Sequence, residues 1–426
     1  MRRHGKAARL PGFQELENRI LDDFAAMKSV LLLLPEHVPA GRVVDEVRAL
    51  AEILGYYTRE ILAGHEDSPA RCVESIASGL GLEDENGYKP KGVHGILSFD
   101  HLPDLILIRG LEEGPVSAAA HWTGLFSEWA RASHSRANSG ERPLMLFLAL
   151  SGQGALLETP QPDLYLSVAH WWGFPSILET RLVCRTRLSG GNGKPLEGLW
   201  RESVLSSLCC GDPALLDTLE DGWDFSRMDA LMPKLVDYAG VRGWSREEAD
   251  RAARAVSGHG AAQGLKTNER PAAALKPSWA RGLVFLTPER GVVLHTAALA
   301  LLERCEDILH RIWAGQAELL LPLIDSFRLR ICDHLSARYG ESWPLRWAGP
   351  ASHEELENVR RNARACQWGH LAAIFDASPE LRRKAPLQKA ILRARYVRNE
   401  MAHYKTISLS DFSMLMRCME DAQAGL

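Results

Sequence analysis

The chain has 426 residues, 46% of them hydrophobic and 24% charged, with a net charge of −4 at neutral pH. That length holds two or three domains with full cores, in the composition of an ordinary globular protein. The charge gives no overall attraction to nucleic acid, so an RNA contact has to be a local basic patch. Eight cysteines are scattered, with no Cys-x-x-Cys pair. A zinc site of the common kind is therefore not expected, and neither is any other metal or a cofactor. Most of these thiols sit in apolar stretches and read as buried, which fits a reducing, cytoplasmic setting. The start, Met1-Arg2-Arg3-His4-Gly5-Lys6, is basic but leads into a polar stretch, so no signal peptide is expected. No apolar run reaches the roughly 18 residues of a membrane span, so no membrane contact is expected.

In chain order, residues 14–28 read as a short helix. Val30-Leu31-Leu32-Leu33-Leu34 is an apolar run stopped by Pro35, the pattern of a strand buried in a parallel sheet. Helical spacing follows over 43–54. Leu105-Ile106-Leu107-Ile108 and Leu144-Met145-Leu146-Phe147-Leu148-Ala149-Leu150 are two further strands, with a helix over 118–133 between them. Strands alternating with helices predict an α/β domain with a mostly parallel sheet over 1–200.

That order resembles a P-loop NTPase core. The residues that would hold a nucleotide are missing. The phosphate loop needs Gly-x-x-x-x-Gly-Lys-Ser/Thr after the first strand. Here that place reads Pro35-Glu36-His37-Val38-Pro39-Ala40-Gly41-Arg42. The second strand runs into Arg109-Gly110-Leu111-Glu112-Glu113 without the usual terminal Asp, a role only Glu112 or Glu113 would imitate. The domain thus resembles the inactivated STAND-type domains fused to effectors in bacterial conflict systems, which implies an NTPase-like fold that does not hydrolyse.

His170-Trp171-Trp172-Gly173-Phe174-Pro175 is a dense aromatic cluster. It reads first as rings packed under the sheet and second as a docking surface for a partner protein. Ser189-Gly190-Gly191-Asn192-Gly193-Lys194-Pro195 reads as a loop; no strand precedes it and proline follows the lysine, so it does not serve phosphate. A middle region over 201–277 follows: helical signals over 200–256, including a capped start at Ser245-Arg246-Glu247-Glu248, and then a linker over 257–277. From 278 to 426 the chain is expected to be an all-α domain, with helical stretches over 294–313, 319–339, 354–375, 387–403 and 411–422.

Within the fourth stretch the chain reads Arg398-Asn399-Glu400-Met401-Ala402-His403. An imidazole moves protons near neutral pH, a guanidinium clamps phosphate with a fork of donors, and an amide orients either. The bare spacing is common, recurring for example at Arg59/His65 and Arg290/His295. Here Asn399 follows the arginine, Ala402 leaves room before the histidine, and Leu387-Gln388-Lys389-Ala390-Ile391-Leu392 opens an amphipathic helix. Asn399 and His403 share a helix face, whereas Arg398 and His403 lie about 140° apart around the axis. A symmetric dimer that pools two such helices is the easier way to converge them.

The segment resembles the signature of HEPN domains, all-helical modules whose nuclease members carry Arg-polar-(three to five residues)-His. The best-known form, Arg-Asn-x-x-Ala-His, matches at Arg398, Asn399, Ala402 and His403. A helix ending at Tyr339-Gly340, then Trp343 and Trp347, also resembles such domains, over roughly 290–426. The resemblance implies a homodimer through the C-terminal domain and metal-independent RNA scission that leaves 2′,3′-cyclic phosphate and 5′-hydroxyl ends. His403 would be the general base or acid, Arg398 would stabilise phosphate charge, and Asn399 would position either. Lys389, Arg393, Arg395 and Lys405 would guide the strand and Tyr404 would stack a base. The plainer alternatives are a solvated helix face, a packing tyrosine and a capping histidine. Two functions therefore stand: a toxin-like or antiviral ribonuclease effector regulated by the N-terminal domain, or a non-catalytic HEPN-like dimerisation or scaffold protein of a defence system.

Overall fold

The computed structural model describes residues 11–64, 68–82, 90–111, 115–173, 177–188, 195–209, 211–219, 224–258, 266–287, 290–347 and 352–423. The chain forms two compact units. The first comprises Met1–Val183, Cys210–Ala214 and Ala239–Leu302; the second comprises Cys184–Cys209, Leu215–Tyr238 and Glu303–Leu426. These units cut the chain elsewhere than the boundaries at 200 and 277 read from composition.

The first unit runs α1 (Pro11–Ala25), β1 (Ser29–Leu34), α2 (Ala40–Ile53), β2 (Thr58–Leu62), α3 (Pro69–Leu80), α4 (Gly92–Leu97), β3 (Leu105–Arg109), α5 (Val116–Asn138), β4 (Met145–Ser151) and β5 (Leu166–His170). The five strands form one parallel sheet in the order β2-β3-β4-β1-β5. Strand alternation explains its two buried faces. Val30, Leu32, Leu34, Leu105, Leu107, Met145, Phe147 and Ala149 pack with α1 and α2 into one core cluster. Leu31, Leu33, Ile106, Ile108, Leu146 and Leu148 point the other way and are equally buried. The long α5 contacts β1, β4 and β5, bringing buried Trp122, Phe126 and Trp129. The α/β reading of this half holds. Sequence reasoning missed β2 and β5, which lack a long apolar run.

Helices α6 (Ile177–Leu188), α7 (Pro195–Cys209), α8 (Pro213–Leu219), α9 (Met228–Val241) and α10 (Arg246–Gly258) follow, then α11 (Lys276–Ala280) and an antiparallel hairpin of β6 (Val284–Thr287) and β7 (Gly291–Leu294). The hairpin corrects the expectation that everything beyond 278 is helical. Residues 259–265 of the expected linker lie outside the described residues. Beyond them it is tied down at two points: the Trp172 amide donates to the Thr267 carbonyl at 2.9 Å and the Trp172 indole to the Glu269 carbonyl at 3.0 Å.

The chain then continues through α12 (Thr296–Leu301), α13 (Cys305–Tyr339), α14 (Trp343–Trp347), α15 (His353–Arg361), α16 (Trp368–Ala377), α17 (Pro379–Arg382), α18 (Ala385–Ala402) and α19 (Leu409–Gln423). In the second unit α13 packs on α7, α16 on α18, and α18 on both α19 and α13. Two predicted helices, 294–313 and 319–339, divide differently. The first breaks at 302–304, and α13 runs unbroken through Gly315 and Pro322. A mid-helix glycine reads as a break because it costs about 1 kcal/mol relative to alanine. Here it makes room for the α7 backbone at Ser203 and Val204. The predicted helix 354–375 splits at Asn362, whose side chain accepts from the Arg364 amide and turns the chain.

A Cβ at position 315 would stand 2.6 Å from the Ser203 carbonyl oxygen and 2.9 Å from Val204 Cα. Gly315→Ala is therefore expected to destabilise by about 3 kcal/mol, although the same change on an open helix face stabilises. Urea unfolding monitored by circular dichroism reads the sign.

Candidate functional site

α18 ends in a Schellman turn. The Lys405 amide donates to the Glu400 carbonyl at 3.0 Å and the Tyr404 amide to the Met401 carbonyl at 3.1 Å. His403 is the C-cap, and Tyr404 takes the left-handed position with φ +58°. Glycine usually fills that position, because a bulky side chain there costs about 1–2 kcal/mol. The turn is held from α13 along one side of that helix. The Trp313 indole N–H donates to the Met401 carbonyl at 2.8 Å, satisfying a helix-end acceptor. Buried Gln316 donates to the Ile407 carbonyl at 2.8 Å and accepts from the Ile407 amide at 2.7 Å. Ser408 caps α19 by accepting from the Asp411 amide at 3.0 Å.

On this frame Arg398 and His403 are exposed and Asn399 is half-buried. The Arg398 guanidinium donates to the side-chain Oδ1 of Asn399 at 3.4 Å. No hydrogen bond joins Arg398 to His403 among the described residues, in keeping with their angular separation on one helix. Lys389 and Arg395 are exposed. Lys405 pairs with Glu400 at 3.1 Å on the surface, a bridge too weak to withhold it from an anion. Arg393 is different: it pairs with Asp411 and lies over the Tyr396 ring at 4.9 Å, so it ties α18 to α19. Tyr404 is 67% exposed. Two residues of this site, His310 and Trp313, escaped the sequence reading, because nothing local marks the α13 face that meets the turn.

A second cluster lies where the sheet's strand order reverses, the usual place for a ligand in an open α/β sheet. There β1 leads into Pro35-Glu36-His37. Glu36 pairs with Arg281 at 2.6 Å and fills the space beside Gly152, at the end of β4. His37 is buried between Gly173, Gly282 and the Phe285 ring, with neither ring nitrogen hydrogen-bonded among the described residues. Burial pushes its pKa down to about 4, against the pull of Asp212 and with Arg242 and His295 on the lowering side. Nearby, the His295 Nδ1 accepts from the Ala297 amide at 3.0 Å, which leaves Nε2 to face the buried Asp212 carboxylate at 3.3 Å. Burial alone would push Asp212 up; the hydrogen bond from His295 and the surrounding positive charge hold it below the usual carboxylate range. No three His, Cys, Asp or Glu side chains converge to hold a metal among the described residues. Glu112 and Glu113 lie outside the described residues, as do Ser189 to Lys194.

Two outcomes are expected. Gln316→Leu strands the amide and carbonyl of Ile407 in the interior, which costs about 2–4 kcal/mol on urea unfolding. Unfolded His37 takes up a proton as pH falls below 6.5 and the folded residue refuses it until about 4. His37 therefore contributes stability that is full above pH 6.5 and declines by up to about 3 kcal/mol on acidification to pH 4. Glu17, pushed up to about 7 by burial and by Glu46, works in the opposite direction over part of that range. The His37 share is read as the difference in slope between wild type and His37→Gln.

Neither the protein-family models nor the curated proteins give a match to this chain.

Proposed function

We propose that the helical unit is a HEPN-type endoribonuclease that cuts RNA without a metal. The observation that carries this reading is the solvent-open helix end bearing Arg398, Asn399 and His403 on a turn braced from below. In the proposed step the ribose 2′-oxygen attacks the adjacent phosphorus and its proton passes to an imidazole. The P–O5′ bond breaks, and the departing 5′-oxygen takes a proton from an imidazole acting as acid. The guanidinium of Arg398 meets the charge that builds on the phosphoryl oxygens. The products are a 2′,3′-cyclic phosphate and a 5′-hydroxyl. DNA is spared because it lacks the nucleophile.

The 140° between Arg398 and His403 on one helix favours a homodimer in which Arg398 of one protomer serves His403 of its partner. We assign the sheet unit to an NTPase-like fold that no longer holds a nucleotide, acting as the regulatory part of a toxin-like antiviral effector. This is supported by the carboxylate of Glu36, which stands where a phosphate loop would put amide donors and repels a phosphate there.

The test is incubation of labelled RNA with wild type, Arg398→Ala and His403→Ala in EDTA. Wild type is expected to cut, leaving cyclic phosphate ends. Arg398→Ala should lose about 10²–10³-fold and His403→Ala about 10²–10⁴-fold in rate, with circular dichroism unchanged. Equal cleavage by all three, or none by wild type, refutes the nuclease and leaves the dimerising scaffold.

A further inference from the structure

Three rings meet beside the cleavage residues. The Trp313 and Tyr404 centroids are 4.7 Å apart, His310 and Trp313 are 5.4 Å apart, and His310 lies 6.3 Å from Tyr404 with the planes only 24° from parallel. His310 and Trp313 sit one turn apart on α13, and Tyr404 reaches them from the end of α18. This group is not core packing. Tyr404 is 67% exposed, His310 is exposed and Trp313 half-buried. Trp313 already spends its N–H on the Met401 carbonyl, so its ring faces are what it has left to offer.

The backbone supplies an independent clue. The turn at Tyr404 asks for glycine, yet it carries a large ring at φ +58°. A bulky residue held in that region points to a use for the side chain itself. The ring's address narrows that use. Tyr404 directly follows His403, and the Trp313 indole is bonded to Met401, three residues before Tyr404. Flat exposed rings next to phosphate-binding cations are the means by which proteins hold unpaired bases, since every base has a π-face. A base inside a duplex has no face free to stack.

We infer that His310, Trp313 and Tyr404 form a stacking site for one unpaired nucleobase of the strand cut at His403, which makes the substrate single-stranded RNA. The inference rests on the ribonuclease reading above. The base sits against Tyr404 and His310, Trp313 backs the pair, and Arg398 and Lys405 take the neighbouring phosphates. Stacking at this point fixes the ribose next to the scissile bond, so the site selects strand state and base size as well as affinity.

The full-length protein is titrated in EDTA against a fluorescein-labelled, 2′-O-methyl single-stranded oligonucleotide, which cannot be cut, and against its duplex. Cleavage of the unmodified strand is followed in parallel. The variants are Tyr404→Gly, Tyr404→Phe and His310→Ala. Glycine removes the ring while relaxing the backbone, so Tyr404→Gly should melt no lower than wild type. It is expected to bind the single strand about tenfold to a hundredfold more weakly. Tyr404→Phe should bind like wild type, and His310→Ala, on an exposed helix face, should lose several-fold. Duplex binding should be weak and unchanged throughout. Wild-type affinity in both Tyr404→Gly and His310→Ala overturns the stacking site, and if wild type still cuts, the nuclease reading survives. Loss of binding in Tyr404→Gly with no cleavage by wild type supports a base-binding site and refutes the nuclease. Absence of both binding and cleavage in wild type overturns both.

Discussion

One side-chain amide fixes the shape of the candidate site. Gln316 satisfies both backbone groups of Ile407 from the interior of α13, and this pins the chain that reverses between α18 and α19. Three residues earlier on the same helix, Trp313 holds the Met401 carbonyl. The turn carrying His403 and Tyr404 is thus set by a buried amide and a half-buried indole, while its own side chains stay exposed. Buried polar pairs of this kind specify one geometry, because any alternative leaves donors and acceptors stranded. A surface loop becomes a fixed platform in this way, and a group that has to meet a phosphate at hydrogen-bond distance requires that fixity.

How much of this was legible in the sequence depends on how local the determining contacts are. β1, β3 and β4 announce themselves as apolar runs because both faces of the sheet are covered. β2 does not: only Ile61 of its five residues is buried, so edge placement erased its signal. The ends of α18 and α19 were readable from their own periodicity. One helix was ended at 313 and another begun at 319, where α13 in fact runs on through Gly315; a glycine that weakens a lone helix can also admit a neighbouring backbone, and the neighbour, Ser203, lies far away in sequence. The hairpin of β6 and β7 was missed because its strands have only four residues each. For the site, residue types and spacing marked Arg398, Asn399 and His403. His310, Trp313 and Gln316 emerged only from the tertiary contact of two helices. Arg393 was assigned to the RNA from its charge alone, and its partner Asp411 turns out to lie on the next helix.

The two units handle charge in opposite ways. At the strand crossover of the sheet unit, ions are absorbed: Glu36 by Arg281, and Asp212 by His295 with Arg242 close by. His37 adds a buried ring whose charged form burial disfavours. Nothing in that arrangement is poised for a charged ligand. At the end of α18 the cations remain at the surface, with at most a weak surface bridge. Desolvation separates an electrostatically closed interior from an open one, and only the second suits a polyanion.

The interleaving of the two units bears on how the chain is made. α7 leaves the ribosome long before α13, the helix it packs against, and the sheet unit is completed in between. Trp200, Val204, Leu205 and Leu208, all buried in the finished protein, must wait for that partner. At ordinary translation speeds the wait covers roughly a hundred residues, or about 5–20 s, a window in which an uncovered apolar stripe invites chaperones. The turn that carries His403 is made later still, after α13 and α18. A chain that stops short of α18 and α19 therefore carries the sheet unit without that turn.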